Sequence, residues 1–406
     1  MERTGSHEAL ARVAREDVGR LVAALTRLVG DFDVAEELVQ EAIVAALERW
    51  PADGVPDSPA AWLLTTARRK GIDRLRRETR YREKVALLEA VSVSPPPELP
   101  DERLELLFAC CHPAIPRDAQ LALTLRSVAG LTTAQIARAF LTSEATIAQR
   151  IVRAKRKIVD EAIPLRVPDA AELPERLAQV LAVLYLLFNE GYLASDGAHP
   201  ERRELCREAE WLTLLLARLA PGEPEVLGLL ALMRIQLARA DARFDAGGRL
   251  VLLRDQDRAR WDRAGIAEGR AMLERATRMA RPGPYQLQAA IAAAHGSAAR
   301  WEDTDWADIV GLYDLLLRVA PSPVVRLNRA IALRYVAGAE PALDEIDALG
   351  EELARYPYFH AARAELLRDL GRDADARAAD GRALELTSNP AERELLLARL
   401  AAQPGA

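Results

Sequence analysis

The sequence predicts an all-α protein on three observations. Half of its 406 residues are apolar yet only 5% are aromatic, so the core is leucine, alanine and valine, a composition that favours helices. Residues 131–158, LTTAQIARAFLTSEATIAQRIVRAKRKI, have the pattern of a helix-turn-helix. Near the C-terminus Gly338 and Gly371 lie 33 residues apart and Ala342 and Ala376 lie 34 apart, each glycine between amphipathic helices, which is the period of tetratricopeptide repeats.

From the N-terminus, the first informative element is a helix over residues 31–50. Val39, Ile43, Ala46, Leu47 and Trp50 share one side, and Glu37, Gln40, Glu41 and Glu48 the other. Residues 31–57 carry a net charge of −7 and residues 62–84 a net charge of +6. Such neighbouring blocks suggest two different partners, a basic protein surface for the first and an anion for the second. The next helix starts at Ser58 with Pro59 in its first position. Leu64, Ala67, Gly71 and Leu75 form its buried stripe, while Trp62, Arg69, Asp73, Arg76 and Arg80 combine a stacking ring with cations, as a surface for melted DNA does. Periodicity alone leaves a solvated acidic face and a core tryptophan open as alternatives.

Residues 91–102, VSVSPPPELPDE, are too proline-rich for a helix and predict a linker. Cys110, Cys111 and His112 follow. Structural zinc needs four ligands and adjacent cysteines have poor geometry for one ion, so small buried residues before a turn are expected rather than a metal site. With Cys206 alone, no disulfide framework exists. No stretch approaches the roughly 18 apolar residues of a membrane span, and the first 19 residues are too charged for a secretory signal, so a cytoplasmic protein without cofactor or membrane partner is expected.

In the helix-turn-helix, Thr132 and Gln135 form a capping box, and Leu141, Thr142 and Ser143 make the turn. Ser143 caps the second helix, and Glu144 sits at the positive end of its dipole. Ile147, Ile151, Ala154 and Ile158 line one face for burial. Ala148, Gln149, Arg150, Arg153, Arg156 and Lys157 face out, small or amide groups first and cations later, an order that suits a recognition helix entering the major groove by its N-terminus.

DFDVAEELVQEAIVAALERW followed by PAAWLLTTARRKGIDRLRRE resembles domain 2 of the extracytoplasmic-function sigma factors of bacterial RNA polymerase, and residues 131–158 resemble their domain 4. The likeness spans roughly the first 160 residues. It implies domain 2 over residues 1–84, a flexible linker over 85–102, and domain 4 over 103–162, with core RNA polymerase and promoter DNA as partners. Glu37, Leu38, Gln40 and Glu41 would dock on the largest polymerase subunit. Trp62, Arg69, Arg76, Arg77 and Arg80 would meet the −10 element, with the loop at residues 51–59 near the displaced strand. Ser143, Ala148, Gln149, Arg150 and Arg153 would meet the −35 element, and Lys155, Arg156 and Lys157 would neutralise phosphates.

Ordinary members of that family stop soon after domain 4, whereas here residues 163–406 follow, a boundary marked by Ile163, Pro164 and Pro168. Turn signals at residues 221–222, 247–248 and 282–284 separate further helices, and helical-hairpin repeats are expected over residues 285–400. Stacked hairpins make a groove suited to a regulatory protein or peptide, as in a sigma-factor subgroup with a C-terminal tetratricopeptide-like extension. In YLLFNEGYLASDG, Phe188, Asn189, Glu190 and Tyr192 are a candidate contact site; the alternative is a helix end at Gly191 with Asn189 bonded locally. Two other functions account for less of the chain. A helix-turn-helix activator with a repeat sensor leaves the first 84 residues unexplained. A hydrolase, using Glu190, Asp196 and His199 around a metal or Cys111 with His112 as a thiol, lacks converging side chains.

Overall fold

A computed structural model describes residues 10, 17–77, 103–140, 142–193, 200–245, 247–387 and 389–402, and these residues form helices joined by turns. They divide into two compact units, residues 1–187 and 188–406.

In the first unit, α1 (Val18–Val29), α2 (Phe32–Asp53) and α3 (Pro59–Arg77) make one bundle. Gly30, at φ +74°, ends α1 in the left-handed region and returns its N–H to Thr26 O at 2.7 Å. Asp31 then caps α2, its carboxylate accepting from the N–H groups of Asp33 and Val34 at 2.8 and 3.1 Å. The bundle core contains Leu21, Leu25, Leu38, Val39, Trp50 and Leu63, each such side chain contributing about 1.5–3 kcal/mol of burial. Two expectations change here. Leu47 is exposed rather than buried, because it continues the outer row that runs through Val44. The expected loop at residues 51–59 is shorter, since α2 runs through Pro51 to Asp53 before Gly54 turns the chain at φ +86°.

The second bundle of this unit comprises α4 (Arg103–Cys110), α5 (Arg117–Ser127), α6 (Thr133–Ala139) and α7 (Glu144–Asp160). It packs directly on the first: a Cβ at Gly19 of α1 would stand 2.5 Å from Val128 O at the end of α5, so only glycine permits this approach. The next helix, α8 (Leu173–Leu193), extends past the point where the units divide. Its first half is held to the second bundle by Arg176, which donates to Phe108 O at 2.6 Å, and by Gln179, which accepts from Arg117 at 3.2 Å. Residues 163–187 therefore belong to the first compact unit, whereas the appended domain was expected to begin at residue 163.

The second unit continues through α9 (Pro200–Leu219), α10 (Pro224–Leu237), α11 (Arg263–Thr277), α12 (Pro284–Ser297), α13 (Trp306–Val319), α14 (Pro323–Ala337), α15 (Ala339–Asp347), α16 (Gly350–Leu353), α17 (Pro357–Asp369), α18 (Asp373–Leu386) and α19 (Pro390–Ala402). Gly338, at φ +92°, turns α14 into α15, and Gly371, at φ +69°, turns α17 into α18. Ala342, Ala376 and Ala383 are fully buried where the hairpin helices meet, since a larger side chain would hold the backbones apart.

Candidate nucleic-acid interface

The helix-turn-helix is locked by its own side chains. Thr132 N–H donates to Gln135 Oε1 at 2.8 Å and Gln135 N–H to Thr132 Oγ1 at 3.2 Å, a reciprocal capping box. Ser143 Oγ accepts from Thr146 N–H at 3.1 Å and opens α7. Ile147, Ile151, Ala154 and Ile158 are buried beneath it. Ser143, Ala148, Gln149, Arg153 and Arg156 are exposed, together with Ala145 and Val152, the latter 63% exposed. Val152 joins this surface although it is apolar, because its place four residues after Ala148 puts it on the same face. A small, amide, apolar and cationic row of this kind offers hydrogen bonds and methyl contacts to base edges.

The cations of α7 are not equivalent. Arg150 is half-buried, its Nε 3.0 Å from Asp118 Oδ2. Arg156 lies 3.5 Å from Asp160, and Lys157 bonds Glu161 at 2.6 Å, holding the Glu161 carboxyl below its usual range. Lys155 departs from expectation. Its side chain is 8% exposed, and Nζ sits 2.7 Å from Asp33 Oδ1 and 3.1 Å from Glu36 Oε2, at the start of α2. In this conformation Lys155 faces the first bundle and not a phosphate. Arg126 of α5 adds a longer contact to Glu36 at 3.7 Å.

On α2, Glu37 and Gln40 are exposed, and Val44 and Leu47 extend the same row. Glu41 is half-buried and paired with Lys70 at 3.2 Å. Leu38 is only 1% exposed, and a Cβ at Gly71 of α3 would lie 3.1 Å from its methyl group. Leu38 is thus a core residue that sets the α2–α3 distance, not a docking residue. On α3, Trp62 is half-buried against the bundle core, edge-on to Trp50 with ring centroids 5.6 Å apart, and Arg69 is exposed. The expected opposition of Trp62 to the core fails because the neighbouring Trp50 supplies an apolar wall. Arg76 and Arg77 belong to α3, but their side chains, like Arg80, lie outside the described residues.

Cys110 and Cys111 are buried, and burial pushes the Cys111 thiol up to about 12 and that of Cys110 in the same direction. His112 Nδ1 accepts from Ala114 N–H at 3.2 Å, a local turn bond. In the second unit Phe188 is fully buried and stacks on Tyr192 at 5.4 Å. The Arg243 guanidinium covers the Tyr192 ring at 4.0 Å and donates to its carbonyl. Phe188 and Tyr192 are therefore already engaged within the fold; Asn189 is half-buried and Glu190 exposed, and α8 continues past Gly191 to Leu193, so no cap forms there.

With this geometry in place, the resemblances to known proteins are direct. Residues 14–81 match the family Sigma-70 region 2, and residues 105–158 match Sigma-70, region 4. Residues 176–277 match a family of unknown function, DUF6596. An uncharacterised protein of Rhizobium meliloti (strain 1021) is 47% identical, the match covering 94% of each chain. The ECF RNA polymerase sigma factor SigK of Mycobacterium sp. (strain KMS) is 30% identical over 36% of this chain and 78% of its own. A protein of the same name from Mycolicibacterium vanbaalenii is 30% identical over 37% of this chain and 81% of its own.

Proposed function

The chain belongs to the extracytoplasmic-function (ECF) family of RNA polymerase sigma factors, and from that premise we propose which surfaces perform each task and that the C-terminal unit modulates them. Sigma factors of this family bind core RNA polymerase and promoter DNA. The outer row of α2, with Glu37 and Gln40 beside Val44 and Leu47 and the half-buried Glu41 at its edge, meets the polymerase, because it joins acidic and apolar groups on one strip. Arg69 and the basic end of α3 meet the −10 element. The Ala148, Gln149, Val152 and Arg153 row of α7 meets the −35 element, and Arg156 and Lys157 serve phosphates.

The observation that carries this reading is the pairing of Lys155 with Asp33 and Glu36 across 122 and 119 residues of sequence. It joins the helix that reads DNA to the helix that docks on polymerase. In the closed state seen here the two promoter-binding bundles are packed on each other, so they cannot separate to span two promoter elements while that contact holds. Docking of α2 on polymerase competes with the latch and lets the bundle that carries α7 move away to reach its own element; this couples the two binding events. The C-terminal unit, unnecessary for promoter contact, biases that opening.

Purified core polymerase plus the full chain is expected to start transcription, with no second sigma subunit, at promoters found by mapping transcript 5′ ends after overexpression. A constant requirement for another sigma subunit would favour the activator alternative. A chain ending after Leu193, which keeps all of α8, is expected to change the yield of that reaction; identical yield at every salt concentration would refute the modulating role.

A further inference from the structure

The second unit contains a cavity of about 490 Å³ between the loop at residues 250–254 and helices α14, α17, α18 and α19. Its walls are aromatic and aliphatic: Trp301, Tyr335, Tyr356 and Tyr358, with leucines such as Leu253 and Leu396. Trp301 meets Tyr335 edge-on at 5.5 Å and Tyr356 meets Tyr358 at 5.2 Å, so the rings brace one another. A space of this size suits one small molecule, since such sites run to roughly 300–1,000 Å³.

Charged groups also line this cavity, and their pairing sets the sign of the ligand. Glu365 is the hub: Arg254 Nη1 lies 2.8 Å from it, Arg399 Nη2 2.6 Å, Arg368 Nη1 3.2 Å and Arg334 Nη1 3.6 Å. Burial pushes the Glu365 carboxyl up, but the arginines outweigh it and hold the group below its usual range. The other wall carboxylate, Glu392, accepts from the hydroxyls of Tyr358 and Thr387. Both carboxylates are thus engaged, which leaves little to attract a cation. The guanidiniums are engaged too, but each carries more donors than it has partners. Among the described residues each has one further carboxylate: Arg334 has Asp369 at 2.5 Å, Arg254 has Asp255 at 3.5 Å and Arg399 has Asp380 at 4.0 Å. Each guanidinium carries five N–H groups in a fixed fork, so Arg399 and Arg254 have donors to offer the carboxylate of a ligand.

We propose that this cavity binds a small organic acid, its apolar body against the aromatic wall and its carboxylate on Arg399 and Arg254. The shared ion pairs hold those guanidiniums in place before the ligand arrives, which lowers the ordering cost of binding. The site lies wholly within the second unit, and the binding claim is independent of the promoter-recognition assignment.

The test uses the full chain without polymerase or DNA, and titrates 6-phenylhexanoate and its uncharged counterpart 6-phenylhexanol by calorimetry, with tryptophan fluorescence as a second signal. The acid is expected to bind at least tenfold more tightly than the alcohol. Arg399→Gln should erase that preference and leave the alcohol unchanged, while Ala361→Phe, which fills the cavity, should weaken both at least tenfold. Thermal melts establish that each variant is folded; if Arg399→Gln is not, Arg254→Gln gives the same reading. Equal affinity for acid and alcohol, an unchanged preference in the folded arginine variant, undiminished binding to Ala361→Phe, or no saturable binding at millimolar acid would each overturn the proposal.

Discussion

Replacing Lys155 with Met separates a latch from a phosphate contact. The apolar stem keeps its packing while the charge is lost. Asp33, whose side chain is 78% exposed, regains water and loses little. Glu36, 18% exposed, keeps only Arg126 at 3.7 Å, so most of the loss falls on this one charged contact. Leaving a partly buried acceptor short of its partner costs about 1–3 kcal/mol, and the remaining arginine offsets part of that, for an expected loss of about 1–2 kcal/mol in the packing of the two bundles. That corresponds to roughly a five- to thirtyfold shift toward the open state. Denaturant melts of the free protein should show the loss. Amide exchange at the start of α1 and the end of α5 should quicken, and the Lys155→Met, Glu36→Met cycle should recover most of the penalty as a coupling term. Core polymerase should meanwhile bind at least as well as before. A variant as stable as its parent, with unchanged exchange but a DNA-binding salt slope shallower by about one, would assign Lys155 to a phosphate and refute the latch.

Other substitutions probe separate parts of the structure. Arg153→Ala should weaken promoter binding by about 1–3 kcal/mol and relax base preference at one position of the −35 element, as read by competition between variant duplexes; an equal loss on random DNA would make it a phosphate contact. Gly371→Ala, at φ +69° with open space around the new methyl, should destabilise the second unit by about 1–2 kcal/mol from backbone strain alone, and Gly338→Ala, at φ +92°, by about 1–3 kcal/mol; melts showing no change would mean that the turns relax. Burial, with Arg239 and Arg258 nearby, pushes His295 down from 6.5 to about 3. Between those values the unfolded chain takes up a proton that the folded one refuses, so this residue removes stability as pH falls through that window, by up to about 1.4 kcal/mol per pH unit. His295→Gln should flatten that slope in urea melts at pH 7 to 4, and an unchanged slope would contradict the assignment.

The parts of this fold that were legible in the sequence are those fixed by short-range chemistry. The Thr132–Gln135 box, the Ser143 cap and the glycine turns at residues 338 and 371 each depend on partners within a few residues. The buried stripe of α7 follows from a period of 3.6. What escaped notice depends on distant partners. Lys155 carries the same charge as Arg156 and Lys157, and only Asp33 and Glu36, far off in the chain, distinguish it. Leu38 sits among Glu37, Gln40 and Glu41 yet is buried, because Gly71 of α3 leaves room for it. The cavity of the second unit gathers side chains from residues 250–399, and no local motif announces it.

The unbroken run of α8 across the division between units has a consequence for how this protein can be taken apart. A domain appended through a loose tether can be removed at the tether. Here the junction is regular hydrogen-bonded backbone, and its first half is fastened by Arg176 to the carbonyl of Phe108. Excision at residues 163–168, where prolines invite the cut, would strip that brace from the helix-turn-helix along with the repeats. A cut at the seam itself would fall inside hydrogen-bonded helix, so a separable C-terminal part needs a boundary that leaves the first half of α8 with the helix-turn-helix.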